Sequence, residues 1–140
     1  MLKFFKNLFS NSLKDSSLQP PLKQVEREAI IDLLLLGIYG DNHLSLSESN
    51  ELNIATGSLG WESKQDLSVY IDSSVVRIRK VRLNEEAIIE LIHYVAKRLT
   101  TPGARERALE LLSRLLRSNG KTAIEKEFFK NIERIFSTNP

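Results

Sequence analysis

Residues 29–48 read A-I-I-D-L-L-L-L-G-I-Y-G-D-N-H-L-S-L-S-E. Ile30, Ile31, Leu33, Leu34, Leu35, Leu36 and Ile38 cover nearly every side of a helix, interrupted only by Asp32 and Gly37. A helix that is apolar all round requires neighbours all round, so this segment belongs at the centre of a domain. It leads into a polar loop, Gly40-Asp41-Asn42-His43, and then into Ser45-x-x-Glu48, the pattern of a capping box that opens a second helix.

Working outward, Pro20-Pro21 ends a polar linker and places proline in the first turn of this helix, predicted over 21–39, with Leu22, Val25, Ala29, Leu33 and Leu36 at helical spacing. The second helix runs from Leu46 to about Thr56-Gly57, with Leu52 and Ala55 inward and Gly60 turning the chain before Trp61. Ser63 starts a third helix, in which Leu67, Tyr70, Ile71, Ser74, Val75, Ile78 and Val81 recur every three or four residues. Asn84 caps a fourth, whose inner face is Ile88, Leu91, Ile92, Val95 and Leu99. Thr101-Pro102 opens a fifth with Ala108, Leu111, Leu112 and Leu115 as its seam, and Ser118-Asn119-Gly120 stops it. Thr122-x-x-Glu125 is a second capping box, and the sixth helix buries Ile124, Phe128, Ile132, Ile135 and Phe136. No segment alternates with period two. The expected fold is an all-α bundle of about six helices in two similar helix–loop–helix halves, spanning residues 20–137, behind an N-terminal segment and linker at 1–19.

Composition bounds the function. A chain of 140 residues suits one domain with its own core. No run approaches the ~20 apolar residues of a membrane-spanning helix. The absence of cysteine excludes a disulfide framework, thiolate zinc ligands and a cysteine nucleophile, and favours a cytoplasmic setting. Net charge is only +2, without the strong positive field of a typical nucleic-acid binder. It divides unevenly: residues 1–62 carry five Lys/Arg against eight Asp/Glu, and residues 63–140 carry fifteen against ten.

The first fourteen residues, M-L-K-F-F-K-N-L-F-S-N-S-L-K, set Leu2, Phe5, Leu8, Phe9 and Leu13 near one helical face, with Lys3, Lys6 and Lys14 elsewhere. Lysines interrupt the apolar residues and no small-residue cleavage site follows, so this is not a secretory signal. Its readings are docking to a partner, weak membrane-surface contact that would make the protein peripheral, and folding back on the domain or remaining a mobile terminus.

The two loops share a grammar. An apolar helix leads into Gly40-Asp41-Asn42-His43 and Ser45-x-x-Glu48; another leads into Ser118-Asn119-Gly120-Lys121 and Thr122-x-x-Glu125. On these residues the chain resembles the TerB family, the tellurite-resistance-associated helical domain also found at the front of some membrane-anchored J-domain co-chaperones. That family shows an apolar helix and then Ala-Asp-Gly-x-(apolar)-Ser-x-x-Glu in each half. Here Asp41, Leu44, Ser45 and Glu48 match, while Gly40 replaces Ala and Asn42 replaces Gly. The second copy departs further, with Asn119 where an aspartate is usual. The resemblance, over roughly residues 22–136, implies an all-helical, non-enzymatic module in metal- or stress-associated assemblies, with other proteins as partners; an oligomer is compatible with it.

Candidate sites follow. For a divalent cation, the one candidate cofactor, Asp41 and Glu48 are first-choice ligands and Asn119 a third. Hard cations want six to eight oxygens, which these three alone do not supply. The loop fails as an EF-hand, because positions six and twelve from Asp41 are Leu46 and Leu52. The structural alternative is that Asp41 satisfies loop N–H groups while Ser45 and Glu48 cap the helix. His43 and His93 lack a second histidine at helical metal-pair spacing. For an anionic partner, Arg77, Arg79, Lys80 and Arg82 form the densest basic run, extended by Arg105, Arg107, Arg114 and Arg117 only if the third and fifth helices adjoin. No helix-turn-helix pattern accompanies the run, which makes nucleic acid the weaker candidate. Trp61 is a candidate partner anchor or a core-edge residue. No P-loop, Gly-x-Ser-x-Gly or Gly-x-Gly-x-x-Gly motif is present, and an enzyme is not expected.

Overall fold

The computed structural model describes residues 22–39, 46–61, 63–117 and 123–138, with backbone alone at 46–51 and 123–125. They form six α-helices: α1 (Gln24–Tyr39), α2 (Leu46–Leu59), α3 (Leu67–Val81), α4 (Glu85–Arg98), α5 (Pro102–Arg117) and α6 (Ala123–Thr138). The expected all-α bundle is what is found, and no strand occurs among the described residues.

Helix α1 is the axis. It packs against α2, α3, α4 and α5, and α6 closes the bundle against α4 and α5. Every residue from Ala29 to Ile38 is buried. Removing its seven large aliphatic side chains from water is worth on the order of 10–20 kcal/mol, as large as the net stability of a whole domain. Ile78 of α3, Ile92, Val95 and Leu99 of and beyond α4, Ala108, Leu112 and Leu115 of α5, and Ile132 and Phe136 of α6 complete the core. Packing pairs the α1–α2 and α5–α6 units through α1 on α5 and α2 on α5. The loops at 40–45 and 118–122 lie outside the described residues. Helices α2 and α6 nevertheless begin one residue after Ser45 and Thr122, where those caps would place them.

Three helix starts and ends depart from the sequence reading. Helix α1 begins at Gln24 rather than Pro21. The Lys23 N–H donates to Glu26 Oε1 at 2.9 Å, so Glu26 supplies the returning half of a capping box three residues in. This first turn inverts the expected burial, with Val25 exposed and Glu26 and Arg27 buried. Helix α2 continues through Gly57 to Leu59, and Gly60, at φ +69°, is the left-handed residue that ends it. Helix α3 starts at Leu67, not Ser63. Ser63 Oγ instead accepts the Gln65 N–H at 3.1 Å while Trp61 Nε1 donates to the Gln65 carbonyl at 2.8 Å, tying both residues to Gln65.

The remaining caps follow the sequence. Asn84 Oδ1 accepts from the Ala87 N–H at 3.2 Å, and Thr101 Oγ1 from the Ala104 N–H at 3.1 Å. Helix C-termini are closed by arginines from elsewhere in the chain. Arg27 Nε reaches the Leu59 carbonyl at 2.8 Å and Arg107 Nη2 the Ser58 carbonyl at 2.8 Å, both at the end of α2. Arg105 serves two ends, donating to the Ala96 and Leu99 carbonyls of α4 and to Phe136 of α6.

Candidate functional site

The most concentrated electrostatics lie where α1 meets α3 and α4. Asp32, with 3% of its side chain exposed, takes the Arg98 Nη2 at 2.7 Å on one oxygen. Its other oxygen accepts from Tyr70 Oη at 2.9 Å, Ser74 Oγ at 2.5 Å and Arg77 Nη2 at 3.2 Å. Tyr70, Ser74 and Arg77 stand at i, i+4 and i+7 on α3, one helical stripe aimed at a single carboxylate. Burial, and then the negative charge of Asp32, push the Tyr70 hydroxyl well above its ordinary titration range. Arg77 lies over the Tyr70 ring at 5.4 Å and Arg98 over the Tyr94 ring at 4.1 Å. Four donors satisfy Asp32, three on one oxygen and Arg98 on the other, which suits it to anchoring three helices.

This cluster is the feature least visible in the sequence, where Asp32 is a break in an apolar run and Ser74 one step in an apolar period. A usable signal existed: a lone acid within a fully apolar helix requires partners, and Tyr70-x-x-x-Ser74-x-x-Arg77 presents three donors on one face.

The sequence-predicted site residues are dispersed. Asp41, His43 and Asn119 lie outside the described residues, as does the side chain of Glu48, so the cation site falls there as well. Among the described residues no three His, Asp or Glu side chains converge as metal ligands. The basic run divides between tasks. Arg77 is drawn to Asp32, Arg79 lies over the Tyr39 ring at 5.6 Å, Arg82 is half-buried and Lys80 points to solvent. Helices α3 and α5 each pack on α1 rather than forming a main contact with each other, and Arg105 and Arg107 of α5 close helix ends. The eight basic residues therefore do not merge into one surface. Trp61 sits at the core edge, its ring tilted 46° against Tyr70 at 5.3 Å.

Among the mostly polar residues that α3 presents outward stand two large apolar ones. Val69, Val76 and Leu83, at i, i+7 and i+14 along α3 and the turn after it, are 48%, 54% and 85% exposed. Seven residues are two turns, so Val69 and Val76 lie on one line ~10 Å long opposite the buried Tyr70–Ser74–Ile78 stripe, and Leu83 follows in the turn beyond α3. Asp72, Arg79 and Lys80, all exposed, flank that line.

No protein-family model matches the chain, and the comparisons with curated proteins and with solved structures returned no match. No helix among the described residues is long and apolar enough to cross a membrane.

Proposed function

We propose that the protein is a non-enzymatic helical interaction module that binds an acidic amphipathic helix along the outer face of α3. The observation that carries this is the Val69–Val76–Leu83 strip. An exposed leucine by itself is ordinary, but Val69 and Val76, two turns apart on the solvent side of α3, and Leu83 in the turn after it offer an apolar strip against which a second helix can pack. Arg79 and Lys80 outnumber Asp72 beside the line, so the complementary helix carries Asp or Glu at its edges. The tellurite-linked role and the cation site expected from the TerB resemblance rest on residues 40–48 and Asn119, and the reading offered for α3 is independent of them.

Two model peptides with the same Leu/Ile seam, one edged with Glu and one with Lys, test it by isothermal titration. The Glu-edged peptide is expected to bind, more weakly as salt is raised, and to lose binding to Val76→Asp and Leu83→Asp variants. Equal binding of both peptides, or binding indifferent to those substitutions, would sink the proposal. Concentration-dependent dimerisation abolished by Val76→Asp would reassign the face to a second copy of the chain.

A further inference from the structure

Asp32 is shared by two arginines, and its single charge does not balance theirs. Arg77 reaches it from α3 at 3.2 Å and Arg98 from α4 at 2.7 Å, on opposite oxygens. Lys80, three residues beyond Arg77 on α3, is its neighbour on the helix surface and is exposed. Among the described residues none of the three cations has another acidic partner, and exposed Glu90, a turn before Tyr94, pairs with none of them. Three cations thus stand around one carboxylate, an excess of two positive charges.

The guanidinium groups are also held in place with donors to spare. Both bond the same carboxylate, so little more than its width and those two bonds separates them. Arg77 gives Nη2 to Asp32 and Tyr70 and Nη1 to Ser73, which leaves Nε, and 48% of its side chain is exposed. Arg98 gives Nε to the Tyr94 carbonyl and Nη2 to Asp32, which leaves Nη1. The Tyr94 ring, 4.1 Å from the Arg98 guanidinium and itself 56% exposed, walls the place on the α4 side. Arginines already fixed by Asp32 lose little freedom when they bind a ligand.

We propose that Arg77, Arg98 and Lys80 bind the phosphoryl group of a phosphate monoester, its oxygens accepting from Arg77 Nε, Arg98 Nη1 and the Lys80 ammonium, with Tyr94 beside the ester substituent. A carboxylate brings one charge and would leave a cation unmet, whereas a phosphate monoester brings close to two at neutral pH and three acceptor oxygens. The site uses none of Val69, Val76 and Leu83 and is independent of the helix docking proposed for α3.

Inorganic phosphate, phenyl phosphate and acetate, each titrated into the full chain at constant ionic strength, test it. Saturable shifts of the Arg77 and Arg98 Nε–H resonances and a raised melting temperature are expected with both phosphates. Acetate is expected to bind about tenfold more weakly or less. Arg77→Gln and Lys80→Gln are each expected to weaken phosphate binding about tenfold, the loss of one charge-assisted bond. Lys80 is exposed, so its substitution keeps the test valid if Arg77→Gln fails to fold. Val76→Ser, which removes an apolar contact from the helix-docking strip, is expected to leave phosphate binding unchanged. Tighter binding of phenyl phosphate than of inorganic phosphate assigns an esterified ligand, and the reverse assigns free phosphate. Shifts that do not saturate, acetate binding equal to phosphate, or phosphate binding indifferent to Lys80→Gln would overturn the proposal.

Discussion

Helix α1 has two interruptions in its apolar sequence, and they do opposite things. Asp32 faces α3 and α4, where it draws a tyrosine, a serine and two arginines onto one carboxylate. Gly37, five residues on, faces α5, where a Cβ would stand 2.8 Å from Leu112 Cδ1 and 3.8 Å from Phe128 Cε2 of α6. One interruption adds charge to orient two helices; the other removes a side chain so that a helix can come closer. The contrast shows that a central helix need not be uniform. Apolar area holds α1 in the middle, while its two exceptions set how the neighbours are placed.

The largest expected effect comes from breaking the polar side. Asp32→Ala leaves Arg98 without its buried anionic partner and should cost ~3–5 kcal/mol in urea-induced unfolding. Asp32→Asn, which keeps the shape and some hydrogen bonds, should cost less. The dry side should answer differently. Gly37→Ala gains ~1 kcal/mol in helix propensity but overpacks against Leu112, typically ~1–3 kcal/mol. The expected net loss is about 1 kcal/mol, and it should shrink or reverse in a Leu112→Val background, a coupling that a double-mutant cycle measures. If Gly37→Ala stabilises the wild-type background outright, close approach is not why glycine stands there.

Tyr70→Phe sharpens the polar side further. It removes one of the donors to Asp32, at ~1 kcal/mol near neutral pH. Because the folded protein raises the Tyr70 titration, the unfolded chain ionises first. Stability due to this tyrosine is therefore present below pH ~10 and lost as pH rises above it. The alkaline slope of stability should be shallower in Tyr70→Phe, which denaturation at stepped pH would show. The smallest effect belongs to the outer face of α3. Val76→Asp should change stability by no more than ~0.5 kcal/mol while removing binding of the acidic helix. A larger loss would mean that Val76 is a core residue of the bundle.

The central place of α1 was legible in the sequence because an all-round apolar helix has one stable environment. The caps at Asn84 and Thr101 were legible for the same local reason: orphaned backbone groups select short polar side chains nearby. Ser63 misled, since a serine that can cap a helix can equally accept an N–H within a turn, as it does from Gln65. Val25 misled because helical spacing ranks residues by hydrophobicity, whereas Glu26 and Arg27 are buried by their bonds to Lys23 and Leu59. The basic run from Arg77 to Arg82 looked like one surface because sequence spacing carries no information about a carboxylate 45 residues away.

By itself, then, the sequence determined that the described residues form an all-α bundle around residues 29–38, since helical period, capping and burial are set by residues within a few turns of each other. Only the tertiary structure decided what Asp32, Ser74, Gly37 and the scattered arginines are for. It also decided which apolar side chains stay outside, because those roles depend on neighbours brought together from distant parts of the chain.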